Sequence, residues 1–239
     1  MNSRKAGNGV LYLLPVWLGD AGGTELLPPA NIQVAERVKL FFCENERTAR
    51  RMLRRMSKTI DLDGIELLVL DKDTTPAELA RHADLLGTRD AAIISEAGMP
   101  CIADPGSRLV ALAHDQGIAV VPLTGPSSVM LGLAASGFNG QQFTFHGYLP
   151  REGDRRKQHI RKLEQACLRE GITQIFIETP YRNDALLADL LATCGGATRL
   201  CLAINLEQPD GSVETRSVAA WRANKPVLGK RPCVFLLGR

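Results

Sequence analysis

Ile94-Ser95-Glu96-Ala97-Gly98-Met99-Pro100-Cys101-Ile102-Ala103-Asp104-Pro105-Gly106-Ser107 is the stretch whose reading decides the fold. It leaves an apolar run, Ala91–Ser95, and enters a helical pattern, Ser107–Gln116, that stops at Gly117. In open α/β sheets ligands bind beyond the carboxyl ends of strands, where a loop of this kind lies. Gly98 and Gly106 open backbone geometries closed to other residues, Pro100 and Pro105 stiffen the path, and Asp104 offers hydrogen-bond acceptors. The loop has neither the Gly-Lys-Ser/Thr ending of a phosphate-binding loop nor the glycine spacing of a dinucleotide fold. Two readings stay open: a shaped wall for a small molecule, or two Gly-Pro turns that only shape a strand-to-helix connection.

Moving outward, short apolar runs at Val10–Pro15, Leu40–Cys43, Glu66–Leu70 and Ala119–Leu123 join Ala91–Ser95 as predicted strands. Their nearly continuous apolarity suits parallel strands covered on both faces. Helices are expected at Asn31–Leu40, Arg47–Met56 and, after a Thr-Thr-Pro start signal, Thr75–Leu86. The alternation predicts an α/β fold with a mostly parallel sheet over residues 1–124. Beyond a small-residue helix at Ser128–Ser136, residues 125–239 predict a second α/β domain. Its strands are placed at Gln142–Tyr148, Thr173–Glu178, Arg199–Asn205 and Cys233–Leu237, and its helices at Gly153–Glu170 and Asp184–Cys194.

Composition narrows the function classes. Apolar residues are 45% and charged residues 23%, ordinary for a globular chain, and 29 basic against 26 acidic residues give a net charge of only +3. Charge is clustered, with Arg47, Arg50, Arg51, Arg54, Arg55 and Lys58 in one group and Arg151, Arg155, Arg156, Lys157, Arg161 and Lys162 in another. Either group fits phosphates or a solvated helix face. The six cysteines lie scattered without a CxxC pair and read as reduced core residues, and the four histidines lack zinc-ligand spacing, so no metal is implied. No apolar run approaches the ~20 residues of a membrane span, and the N-terminus has no signal-peptide form, so the cytoplasm is expected and a membrane partner is not.

A second loop, Leu123-Thr124-Gly125-Pro126-Ser127-Ser128, also follows a strand and opens a helix, with Ser127 or Ser128 as N-cap or as an anchor for a ligand at the helix start. Residues 94–110, Val120–Val129, Phe143–Arg151 (FTFHGYLPR), Phe176–Arg182 (FIETPYR) and Cys43–Leu53 (CENERTARRML) stand in an order and spacing covering most of the chain. That succession resembles the motifs of the small-subunit ribosomal RNA cytidine 2′-O-methyltransferase family, part of the tetrapyrrole-methylase superfamily.

The resemblance implies two α/β domains with S-adenosylmethionine held in the cleft between them, and commonly a homodimer. It implies cofactor contacts from Ser95, Glu96, Ala97, Gly98, Ile102, Ala103 and Asp104, from Ser127 and Ser128, and from Glu178 and Thr179 opposite, with Ala203 as a further candidate. The expected partner is small-subunit ribosomal RNA. Methyl transfer needs mainly alignment, but a ribose hydroxyl is a weak nucleophile and gains from a base. Glu44 is the candidate base and Arg47 a candidate phosphate holder, the alternative for Glu44 being a surface ion pair with a nearby arginine. Tyr181 and Arg182 suit a base or phosphate, or a helix cap, while Trp17 suits a stacking face or the core.

The chain departs from the family pattern at Trp17, at Asn45 where Asp is usual, and at residues 204–208, Ile-Asn-Leu-Glu-Gln, where an Arg-Glu-Leu-Thr-Lys stretch is usual. These departures bear on the acceptor. Two alternatives follow: methylation of a tetrapyrrole or other small molecule, and an RNA-binding relative without catalysis.

Overall fold

The computed structural model describes residues 9–239, which separate into two compact units, one up to Pro126 and the other Ser127–Arg239. The division falls just beyond the Thr124 junction expected from sequence.

The first unit is built on β1 (Val10–Leu14), β2 (Leu40–Cys43), β3 (Glu66–Val69), β4 (Ala91–Ile94) and β5 (Ala119–Pro122), a parallel sheet in the order β3-β2-β4-β1-β5. Between the strands run α1 (Pro29–Arg37), α2 (Glu46–Met56), α3 (Pro76–Leu86) and α4 (Ser107–Asp115). Side chains of successive strand residues point to opposite faces, and the core divides accordingly. Tyr12, Leu14, Phe41 and Cys43 pack with α1 and α2, whereas Leu11, Leu40 and Phe42 pack with α3 and α4. Each fully enclosed Leu or Phe adds about 1.5–3 kcal/mol to this double layer.

Local chemistry sets the ends. The Asn45 side chain accepts from Thr48 N at α2, so Asn serves the capping role that an Asp would. Thr75 and Glu78 form a reciprocal capping box at α3. The first helix differs from expectation: it begins earlier, with Pro29 at its first turn, and ends at Arg37 because Val38 is already extended toward β2.

The second unit holds β6 (Phe143–Tyr148), β7 (Thr173–Ile177), β8 (Arg199–Ile204), β9 (Ser212–Ser217) and β10 (Cys233–Gly238) in the order β6-β7-β10-β8-β9. Only β6 and β7 pair in parallel; the rest is antiparallel. One face carries α5 (Ser128–Ser136), and the other carries α6 (Gly153–Glu170), α7 (Asn183–Thr193) and α8 (Val218–Ala223). Phe176 and Phe235 stack at 5.9 Å under the three-helix layer. Strand β9 and helix α8 escaped the sequence reading. Ser-Val-Glu-Thr-Arg-Ser is too polar to stand out as a strand, and it forms because the backbone of β8 pairs with it along its length.

Five of the six cysteines are buried and free, and Cys101 is half-buried and free. Burial raises the Cys43 and Cys101 thiols to about 11, so they are uncharged at neutral pH.

Candidate functional site

In the first unit the loops beyond neighbouring strands are knitted together. Gly98 O accepts from Val16 N at 2.9 Å and from the Ser95 hydroxyl at 2.9 Å, while Gly98 N donates to Trp17 O. The loops after β1 and β4 are thus one structure, as the parallel pairing of those strands permits. Gly98 has φ of +72°, and a Cβ there would stand 2.8 Å from Leu18 and 3.3 Å from Pro126 O. Gly125 is equally constrained, because a Cβ would strike Pro15. Asn31 ties in the third loop by donating from Nδ2 to Thr124 O.

On this frame Glu96, Ala97, Ile102 and Ala103 are exposed, whereas Ser95 and Gly98 are buried. Cys101 and Ala103 have φ of +68° and +60°, a conformation costing a non-glycine residue about 1–2 kcal/mol. Strain of this order collects at ligand clamps. Asp104 follows directly. Its Oδ2 is buried without a hydrogen-bond partner, and burial, with Glu44 and Glu96 nearby, pushes the carboxyl up to about 7.

Glu44, just past β2, faces the same group. Burial raises its proton affinity, and Glu96 and Asp71 raise it further. No cation among the described residues lies within ion-pair distance of Glu44, so the surface-pair alternative is not what the structure contains. Arg47 is exposed on the first turn of α2. Asp71 was missed from sequence. Its position directly after the apolar run Leu67–Leu70, at the end of β3, was the available signal, and it closes its own turn by accepting from Thr74 Oγ1 and Asp73 N.

Trp17 belongs to the core: it is buried, donates Nε1–H to Gly23 O at 2.7 Å, and carries the Arg55 guanidinium 4.0 Å from its ring. Arg55 also donates to Gly19 O and Gly22 O, and Arg50 to Leu62 O. Part of the first basic cluster is therefore structural. In the second cluster Arg156 is buried against Asp189, which Lys157 also approaches.

In the second unit Ser127 caps α5 by accepting from Met130 N, with Ser128 as the first helical residue. Glu178, its side chain fully buried, lies at the carboxyl end of β7. Its Oε1 accepts from Thr179 N at 2.7 Å, Thr179 Oγ1 at 3.2 Å and Arg182 Nη2 at 2.5 Å. Glu178 Oε2, Arg182 Nε and Asn183 Oδ1 are buried without partners, an unusual density of unsatisfied polar atoms within a few residues. Ala203 is enclosed in β8, its backbone paired to β10 and β9 and its Cβ against Gly132 of α5.

The donor set in the first unit fits S-adenosylmethionine. Glu44, Glu96, Asp71 and Asp104 create a negative potential suited to a sulfonium and an ammonium, and exposed Ile102 beside them offers an apolar contact.

Comparison with known proteins agrees. A family profile for Tetrapyrrole (Corrin/Porphyrin) Methylases matches residues 21–206. The chain is 35% identical to "Ribosomal RNA small subunit methyltransferase I" of Micromonospora olivasterospora, over 86% of this chain and 62% of that protein's length. It is 31% identical to the protein of the same name from Pseudomonas aeruginosa, over 90% of this chain and 75% of the other. Among solved structures, the methyltransferase CobJ superposes with a TM-score of 0.62 at 16% identity, over 98% of this chain and 95% of that one. Uroporphyrin-III C-methyl transferase from Thermus thermophilus, complexed with S-adenosyl homocysteine, gives a TM-score of 0.56 at 15% identity, over 97% and 98%. The family profile and the sequence relatives show that this chain belongs to the tetrapyrrole methylase family, among relatives named for small-subunit ribosomal RNA methylation.

Proposed function

We propose that the chain is an S-adenosylmethionine-dependent methyltransferase whose acceptor is a ribose 2′-hydroxyl of small-subunit ribosomal RNA. The observation that carries this is the knitted loop frame with its strained Cys101–Asp104 turn and carboxylate group, in a family whose matched relatives bear that RNA in their names. When bound, S-adenosylmethionine supplies a methyl group already activated on a sulfonium.

The chain's own residues then have two tasks. The first is orientation: Gly98 and the Ser95 hydroxyl fix the backbone of residues 95–98, and Ile102, Ala103 and Asp104 present a rigid edge. Ser127, Ser128, Glu178 and Thr179 are proposed as further cofactor contacts, and enclosed Ala203 packs beneath α5, the helix that Ser127 caps. The second task is accepting a proton. Glu44, half-buried and flanked by other carboxylates, has its proton affinity raised by burial and by Glu96 and Asp71, the direction that suits a general base. Arg47, exposed three residues on in sequence, is the proposed contact for a phosphate.

We place the working form as a homodimer in the cytoplasm. Among the described residues no helix is long and apolar enough to cross a membrane. Mapping ribose methylation in small-subunit RNA from cells with and without the protein tests the acceptor. Loss of one 2′-O-methyl mark is expected. An unchanged pattern, with the purified protein still binding S-adenosylmethionine, would redirect the acceptor to a small molecule.

A further inference from the structure

The second unit carries an aromatic surface that the cofactor chemistry does not use. Strand β6 is the outer strand of its sheet, paired only to β7. Its register slips: Phe145 lies opposite Ile175, yet Tyr148, not Gly147, lies opposite Ile177. One extra residue has been inserted at His146-Gly147, with Gly147 at φ of +61° and open space where its Cβ would be. Residues opposite one another in register share a face of the sheet, so this bulge transfers Tyr148 to the face of Ile175 and Ile177. There Tyr148 is 54% exposed.

Beside it, on the turn after β7, Tyr181 is 71% exposed. The Arg182 guanidinium lies 5.4 Å from the Tyr181 ring centroid, and both phenols act electrostatically on it. Glu178, fully buried, holds that guanidinium in place. One side of the Tyr181 ring is thus backed by a fixed cationic plane, and the rest of the ring meets solvent. Exposed Arg151 follows Tyr148 on the loop out of β6. A buried carboxylate pinning an arginine under an exposed tyrosine costs stability, which is consistent with a positioning role.

We propose that Tyr148 and Tyr181, with Arg182 against the Tyr181 ring, form a stacking platform for unpaired nucleotides of the acceptor RNA. The chemistry selects this partner. Aromatic and guanidinium planes stack on base faces, and those faces are open in single strands but covered in a duplex. Arg151 adds a contact for the phosphate that accompanies a splayed base. This inference rests on the RNA reading given above and deepens it.

The test uses the full chain and a fluorescently labelled, unstructured RNA oligomer, free or annealed to its complement, followed by anisotropy at fixed salt. The wild-type protein should prefer the single strand. Tyr181→Leu and Tyr148→Leu should each weaken single-strand binding by about 5- to 150-fold, the range for losing one stacked base. Tyr181→Phe should stay within about twofold, because the ring is kept. Gly147→Val, which disfavours the bulge conformation without needing space, should weaken binding as Tyr148→Leu does. Circular dichroism confirms folding, and calorimetric titration of S-adenosylmethionine should give the same affinity throughout. Leucine variants that bind single strand like wild type, or that lose single-strand and duplex binding equally, would overturn the platform. Stacking that survives while S-adenosylmethionine fails to bind even the wild type would overturn the methyltransferase reading and leave the platform standing.

Discussion

The Glu178 carboxylate, with its side chain fully buried, grips the Arg182 guanidinium at 2.5 Å across one short turn. The two ends of this pair are not equivalent. Arg182 retains partial access to water, and Glu178 has none. Removing the arginine therefore strands a buried charge, whereas removing the glutamate leaves a cation that water can reach. Arg182→Ala should cost about 3–5 kcal/mol in denaturant unfolding, and Glu178→Ala about 1–3 kcal/mol. The reverse order would show that the pair is not held as described.

Gly98 should tolerate no side chain. Gly98→Ala places a Cβ 2.8 Å from Leu18 and holds alanine at φ of +72°, for a cost of about 1–3 kcal/mol. Calorimetry should show weaker S-adenosylmethionine binding, and Gly98→Arg should abolish it. Unchanged affinity in Gly98→Arg would remove this loop from the cofactor site.

The Asp104 carboxyl, raised to about 7 from a usual value near 4, sets a pH dependence with a definite sign. Between about pH 4 and pH 7 the folded chain holds a proton that the unfolded chain releases, so its contribution disfavours folding increasingly as pH rises through that window. Asp104→Asn should flatten the stability profile and raise stability at pH 8 by about 1–3 kcal/mol. Ligand binding should run oppositely. A cationic cofactor favours the ionised carboxylate, so wild-type affinity for S-adenosylmethionine should rise from pH 6 to pH 8, and Asp104→Asn should lose about tenfold at pH 8 and little at pH 6. A pH-independent wild-type affinity would contradict this assignment.

The arginines of α2 should separate into structural and surface groups. Arg55 donates to Gly19 O and Gly22 O and stacks on Trp17, so Arg55→Ala should cost about 2 kcal/mol in unfolding experiments. Exposed Arg47 should change stability by less than about 0.5 kcal/mol on conversion to Ala. Its loss should instead weaken RNA binding and reduce the salt slope by about 0.7–1. Equal stability losses for the two variants would merge the groups.

The sequence alone determined that two α/β assemblies follow one another, because apolar runs and cap signals are local properties. Helices α5 and α6 were read to the residue from Ser128 and Gly153 onward, where serine capping and terminal glycines speak for themselves. The Gly98 and Gly125 loops were legible for the same reason, since a backbone that needs glycine declares it in the residue type. What only the tertiary structure decided are relationships between segments far apart in the chain. Polar β9 is a strand because β8 offers it backbone partners, and Trp17 is core because Arg55 from α2 covers its ring. Asp104 holds its proton because folding buries it beside Glu44 and Glu96, and Tyr148 shares a face with Ile177 because β6 carries one extra residue against β7. Propensity and capping act between near neighbours and are written in order along the chain, whereas pairing register, desolvation and electrostatic coupling depend on distances that exist only after folding.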